Sequence, residues 1–189
     1  MLRKSLWNFL RTGYWAALSW MMAKGILLGR QGNLADAPVR QTTIFSCAID
    51  PQAQLTLTTQ VIKTILNETG LSIESQAQLF FTAGVEEVEL EEAYVLTNGK
   101  KITLEVDPAR SSAIEIKPLA SDPSGFDQKM QVIVAFPEVQ IGSVLYLRYK
   151  TTQMPLEEKM NSLRIAFSGF AYYEKMELSV RSALPLYVG

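Results

Sequence analysis

The chain has 189 residues, 48% of them apolar and 20% charged, enough for one domain with a proper core and a short leader. Its formal net charge is -1 and no run of basic residues is present, which argues against the broad positive footprint that nucleic acid demands. Histidine is absent and Cys47 is the single cysteine, so a histidine-based triad, an intramolecular disulfide and a multi-cysteine metal site are excluded.

Residues 1–37 differ from the rest. Arg3, Lys4 and Arg11 give a positive start, Tyr14 to Leu28 is apolar apart from Lys24 and a few small or polar residues, and Ala35-Asp36-Ala37 is a small-x-small pattern. Together these are the parts of a secretory signal cleaved after Ala37. The apolar run falls short of the roughly 18 to 20 residues of a spanning helix. An uncleaved membrane anchor, with Trp7, Trp15 and Trp20 at the interface, and an amphipathic cytosolic helix remain open. The expected organisation is a hydrophobic leader helix over 1–37 and a domain over 38–189. In the first reading the mature protein begins near Pro38 and is exported, periplasmic or held at the membrane facing outward.

From Arg40 the pattern becomes that of strands. Cys47 lies in the apolar run Thr43 to Ile49, where a free thiol behaves as a small buried hydrophobe. A lipid-acylated cysteine fits poorly, because Phe45 is too bulky and the site lies too far past the apolar stretch. Gln54 to Thr59 alternates apolar and hydroxyl residues, and Val61 to Leu66 continues the pattern. Asn67-Glu68-Thr69-Gly70 reads as an exposed turn with Gly70 at positive φ, and the triplet also matches a glycosylation acceptor.

Val85 to Leu96 is the next strand. Val88 and Leu90 share one face, Ala93 and Val95 share one, and the phase slips at Glu91-Glu92, which predicts a β-bulge. Asn98-Gly99 is a strong hairpin signal, and Ile102, Leu104 and Val106 point one way on the return strand until Asp107-Pro108. Residues 109–128, with Pro118, Pro123 and Gly125, read as a long connection. Lys129 to Phe136 is apolar on both faces, as a central strand is. Phe136-Pro137 closes it, and Gln140-Ile141-Gly142 suggests a hairpin into Ser143 to Tyr149. Leu163 to Phe167 and Met176 to Arg181 alternate, with Gly169 to Glu174 joining them. The fold class expected is all-β, a two-layer antiparallel β-sandwich behind the leader helix.

Glu92 to Tyr149 resembles a known family in the order of its weak motifs: Ala93-Tyr94-Val95, then Asn98-Gly99-Lys100, Asp122 and Asp127, Val134-Ala135-Phe136-Pro137, and Gly142 to Tyr149. Thr58 to Leu66 looks like that family's second strand. The family is a bacterial domain of unknown function that lies N-terminal to transglutaminase-like domains in exported multidomain proteins, and the resemblance covers roughly residues 40 to 189. It implies a β-sandwich, an exported setting and a transglutaminase-like domain or chain as partner. The Cys-His-Asp triad, where one exists, belongs to that following domain.

A thiol nucleophile would have to be Cys47, without a histidine to activate it. Glu86, Glu87, Glu89, Glu91 and Glu92 could supply paired carboxylates for a small glycan hydrolase. Their alternation with Val88 and Leu90 makes a solvated face the simpler reading, and charges there discourage edge pairing. Asp122 to Asp127 could offer oxygen ligands to calcium but lacks the ligand density of a recognised loop. Phe170, Tyr172 and Tyr173, in or beside a turn, are the candidate partner-binding aromatics, with core filling as the alternative. No catalytic residue, metal or cofactor is expected. The function expected is a non-catalytic scaffolding or interaction module, with a glycan hydrolase or a carbohydrate-binding sandwich as alternatives. Any membrane contact would run only through an uncleaved leader.

Overall fold

The computed structural model describes residues 21–26, 34–119, 129–155, 165 and 170–185. In chain order the elements are β1 (Met21–Ile26), β2 (Val39–Ile49), β3 (Leu55–Ile65), a short helix α1 (Glu68–Glu74), β4 (Gln76–Thr82), β5 (Glu86–Thr97), β6 (Lys100–Thr103), β7 (Ile114–Pro118), β8 (Lys129–Ala135), β9 (Val144–Gln153) and β10 (Ala171–Ser182). They form two packed sheets. The larger has the order β1-β10-β2-β3-β9-β5-β6 and the smaller the order β4-β8-β7.

The two-sheet expectation holds, but the chain is mostly β with one short helix, and the larger sheet is mixed rather than antiparallel. β10 runs parallel to β2 along their whole length, with a register shift between Tyr173 and Lys175. Parallel neighbours cannot be joined by a tight turn, and β3 to β9 separate β2 from β10 along the chain. Of the expected leader helix, residues 1–20 and 27–33 lie outside the described residues, and the described part is not helical. Met21–Ile26 is a strand that pairs antiparallel with β10 from Met21↔Ser182 to Ile26↔Glu177. An apolar stretch this short fits a strand or a helix equally well, and the open edge of β10 decides between them.

β2 and β3 form a hairpin from Val39↔Ile65 to Ile49↔Leu55, so Gln54–Thr59 and Val61–Leu66 belong to one long strand. The Asp50 carboxylate closes its turn by accepting from the amides of Gln52 and Gln54. The predicted turn at Asn67–Gly70 is instead the start of α1. Asn67 caps it, its Oδ1 accepting from the Gly70 amide at 3.0 Å. Gly70 is buried and does not take positive φ. It is glycine because a Cβ there would collide with the Pro38 carbonyl oxygen. The expected exposure holds in part: Glu68 and Thr69 are exposed, whereas Asn67 is half-buried and Gly70 buried.

The bulge lies where the phase slip requires it, since the β5–β9 register shifts between Leu90 and Glu92. The Asn98-Gly99 turn joins β5 to β6 with φ +48° and +75°, the left-handed pair of a type I′ hairpin. Two connections differ from expectation. Residues 109–128 contain β7, which pairs with β8 from Ile114↔Val134 to Pro118↔Met130. Nor do β8 and β9 form a hairpin: β8 is the middle strand of the small sheet, whereas β9 inserts between β3 and β5 in the large one. The turn at Gly142 (φ +89°) therefore carries the chain from one layer to the other. β4, whose Ala77, Leu79 and Phe81 alternate with Gln76 and Gln78, completes the small sheet and is not anticipated by the strand reading above.

The core lies between the layers. Ile65, Ala93, Val95, Leu145 and Leu147 of the large sheet meet Ile114, Val132 and Val134 of the small one, with Val39, Leu104 and Phe136 at its margins. On the outer face of the large sheet the β5 acids meet β9 bases: Glu89 pairs with Lys150, and Glu91 with Arg148 at 2.6 Å. Glu92 reaches Lys101 at 3.4 Å.

Candidate functional site

Among the described residues, the three strands of the small sheet leave part of the inner face of the larger sheet uncovered. Beside β4 that face opens into two adjoining cavities of about 490 and 680 Å³, which share Gln41, Val61, Gln78, Leu79 and Tyr149 as walls. We describe them as one groove. Its floor comes from the inward residues of β2, β3 and β9, because alternation turns every second side chain to that face. One lip is α1 and β4, which the Asn67 cap and the Gly70 contact hold against Pro38.

The floor is apolar at Phe45, Leu57 and Val61 and polar at Gln41, Thr43 and Thr59. Gln41 Nε2 donates to Thr43 Oγ1 at 2.8 Å. At the α1 end, Lys63 of β3 pairs with Glu74, and neither side chain is more than a quarter exposed. Burial pushes the Tyr149 phenol up from its ordinary pKa, with slight opposition from the neighbouring Thr59 hydroxyl, so the ring stays protonated near neutral pH. Thr59 Oγ1 lies against Tyr149 without a hydrogen bond of good geometry. At the other end Glu86 Oε2 accepts from the Thr82 amide at 2.9 Å. Such a surface can hold an apolar chain with a few oriented polar groups. Lys63, Glu74 and Glu86 each have a polar partner.

The aromatic candidates do not form one patch. Phe170 is 69% exposed, but Tyr172 and Tyr173 are already in β10, on opposite faces. Tyr173 is 7% exposed and packs with Ala171, Met176 and Phe45, so core filling is its role. The expected joining segment Gly169–Glu174 is thereby corrected, since the strand begins at Ala171. Ala37 lies between the turn at 34–36 and β2 and accepts a hydrogen bond from Asn67 Nδ2 at 3.4 Å. Cys47 is buried in β2, and burial pushes its thiol up, which disfavours the thiolate a nucleophile needs.

The calcium candidates Asp122 and Asp127 lie outside the described residues, as does Leu163–Phe167 apart from Ile165, which lines the groove. Among the described residues no group of three His, Cys, Asp or Glu side chains is arranged to hold a metal ion. Tyr94 and Tyr146 stack on the outer face with centroids 4.5 Å apart, and Lys101 Nζ sits 3.9 Å over the Tyr94 ring. These rings close on one another and on the lysine instead of lying flat side by side.

Residues 51–182 match the model of a domain of unknown function with solved structures, DUF3857. The chain belongs to the DUF3857 family. Its fold is similar to part of a chain described as a putative protease from Parabacteroides distasonis, at TM-score 0.65 and 11% identity, over 77% of this chain and 29% of that one. This DUF3857 chain therefore spans under a third of the Parabacteroides protein. More distant likenesses are a CBM3a-L domain from scaffoldin cipA of Clostridium thermocellum and a family IIIa CBD from Clostridium cellulolyticum. Their TM-scores are 0.37 and 0.34, their identities 11% and 12%, and they cover 74% and 67% of this chain and 83% and 77% of theirs. No curated protein matches the sequence.

Sequence reading missed the groove's polar residues, Gln41, Lys63, Glu74 and Tyr149. Lys63 and Gln41 do break the apolar side of their strands, and that was the available signal. The pairing partner Glu74 comes from a helix that was read as a turn.

Proposed function

We propose that this DUF3857 domain is a non-catalytic interaction module, working outside the cytoplasm beside a transglutaminase-like domain. The observation that carries the reading is the groove. It is roomy with a largely apolar floor, and its charged groups are engaged, Lys63 with Glu74 and Glu86 with the Thr82 amide. A catalytic acid or base needs a free, tuned ionisable group, whereas a docking groove needs area and a few fixed polar contacts. The longer Parabacteroides chain, in which a similar fold is one part, supports a neighbouring domain.

The test is isothermal titration of the full-length chain with a transglutaminase-like domain from the same genome. Saturable binding, weakened at least tenfold by Leu57→Glu on the groove floor, is the expected result. No binding, together with turnover of a glycan or peptide by the chain alone, would overturn it. Mass spectrometry of the protein from its own host checks export: a mature start near Pro38 is expected, and a soluble chain with Met1 intact would refute it.

A further inference from the structure

A second surface lies at the opposite margin of the large sheet. β5 spans Glu86–Thr97, but β6 pairs with it only from Tyr94 to Thr97. One further bond, from the Leu104 amide to the Ala93 carbonyl at 2.9 Å, extends the contact to the bulge. Beyond the bulge β5 bends and the chain from Glu105 to Pro108 diverges from it, so among the described residues no strand pairs with Glu86–Leu90 on the side away from β9.

Two cavities flank this stretch of β5. One, about 370 Å³, lies between Val88–Leu90 and Glu105–Pro108, with Val106, Ile116 and Val132 as its apolar wall. The other, about 580 Å³, abuts Glu86–Glu89 from the side of Lys150 and Thr152. Lys150 and Thr152 belong to β9, opposite Glu89 and Glu87, so the second cavity lies on the outer face over the β5–β9 pair and the first alone opens on the strand's free edge. The two gather five carboxylates, Glu86, Glu87, Glu89, Glu105 and Asp107; Glu89 is paired with Lys150 and Asp107 with Arg110 at 3.5 Å, and Glu87 and Glu105 are exposed.

We propose that the edge of β5 over Glu86–Leu90 docks an extended cationic segment of a partner polypeptide, which adds a strand to the large sheet. The pleat dictates the segment's pattern: Lys or Arg beside Glu87 and Glu89 on the outer face, alternating with apolar residues beside Val88 and Leu90 over Ile116 and Val132. A second copy of the chain is disfavoured as the occupant, because its own β5 edge would set glutamates against glutamates. The inference rests on the reading of this chain as an interaction module, but not on which domain is its neighbour.

The test is fluorescence anisotropy of the full-length chain with labelled peptides: an alternating Lys-Val hexapeptide, the same residues as a Lys block followed by a Val block, and an alternating Glu-Val hexapeptide. The alternating cationic peptide should bind at least tenfold more tightly than the block form, with no binding of the Glu-Val peptide. Amide exchange at Val88 and Leu90 should slow on binding. The exposed pair Glu87→Lys and Glu105→Lys should weaken binding at least tenfold with an unchanged thermal melt; if that variant fails to fold, Glu87→Gln with Glu105→Gln serves the same purpose. Equal binding of the block peptide, indifference to the substitutions, no binding at all, or a sedimenting dimer would each overturn the proposal. Binding of a transglutaminase-like domain in the titration above, with all three peptides silent, would refute this edge site and leave the broader reading standing.

Discussion

Two glycines of this chain are fixed for different reasons. Gly99 takes φ +75° in the β5–β6 turn, and a Cβ there would meet nothing within 4 Å, so its requirement is conformational. Gly70 has ordinary helical geometry, but an added Cβ would strike the Pro38 carbonyl oxygen and come within 3.0 Å of its carbonyl carbon. That oxygen already accepts from the Leu66 amide at 3.0 Å and cannot swing away freely. Gly70→Ala should therefore destabilise the domain by about 1–3 kcal/mol, the range of overpacking in a filled interior. Urea denaturation measures it, and a midpoint equal to wild type would show that α1 can shift off Pro38. Cys47 shows a different relation of residue to surroundings: burial pushes its thiol up from the ordinary pKa.

Among the elements, the β5–β6 hairpin is the one most fully specified locally. Asn98 and Gly99 supply the two positive φ values, and the phase slip at Glu91-Glu92 is answered by the bulge. Gly99→Ala should cost about 1–2 kcal/mol, the penalty of a Cβ in the left-handed region without a steric clash. Chemical denaturation checks it, and a loss well above that range would mean that the turn also packs against something. The helix α1 was hidden because Asn67-Glu68-Thr69-Gly70 has turn chemistry that serves a cap equally well. The cap becomes a helix only because Leu71 packs on the core between the sheets. β7 was hidden because it is five residues long and ends in proline, which an edge strand tolerates.

At the scale of the molecule, one core joins both sheets, and Ile65 sits near its centre with no exposed surface. Its amide donates to the Ser143 carbonyl and its carbonyl accepts from the Gly142 amide, so it also anchors the segment that passes between layers. Ile65→Ala should destabilise by about 2–5 kcal/mol in a single cooperative transition, read by urea denaturation with fluorescence and circular dichroism together. Separate transitions by the two probes would show that the sheets unfold independently.

The sequence by itself determined the strands with clean alternation, the Asn98-Gly99 turn, the bulge and the mostly-β class, because each rests on a period of two or on a local backbone requirement. It also marked the solvated acidic row of β5, whose partners Arg148 and Lys150 only strand pairing reveals. Tertiary structure decided which strands are neighbours. Alternation says which face a residue takes but not which strand lies beside it, so β9 could look like the return of β8 while belonging to the other sheet. The same limit hid the parallel β2–β10 pair, the strand at Met21–Ile26 and the groove, whose walls are inward side chains of strands far apart in the chain.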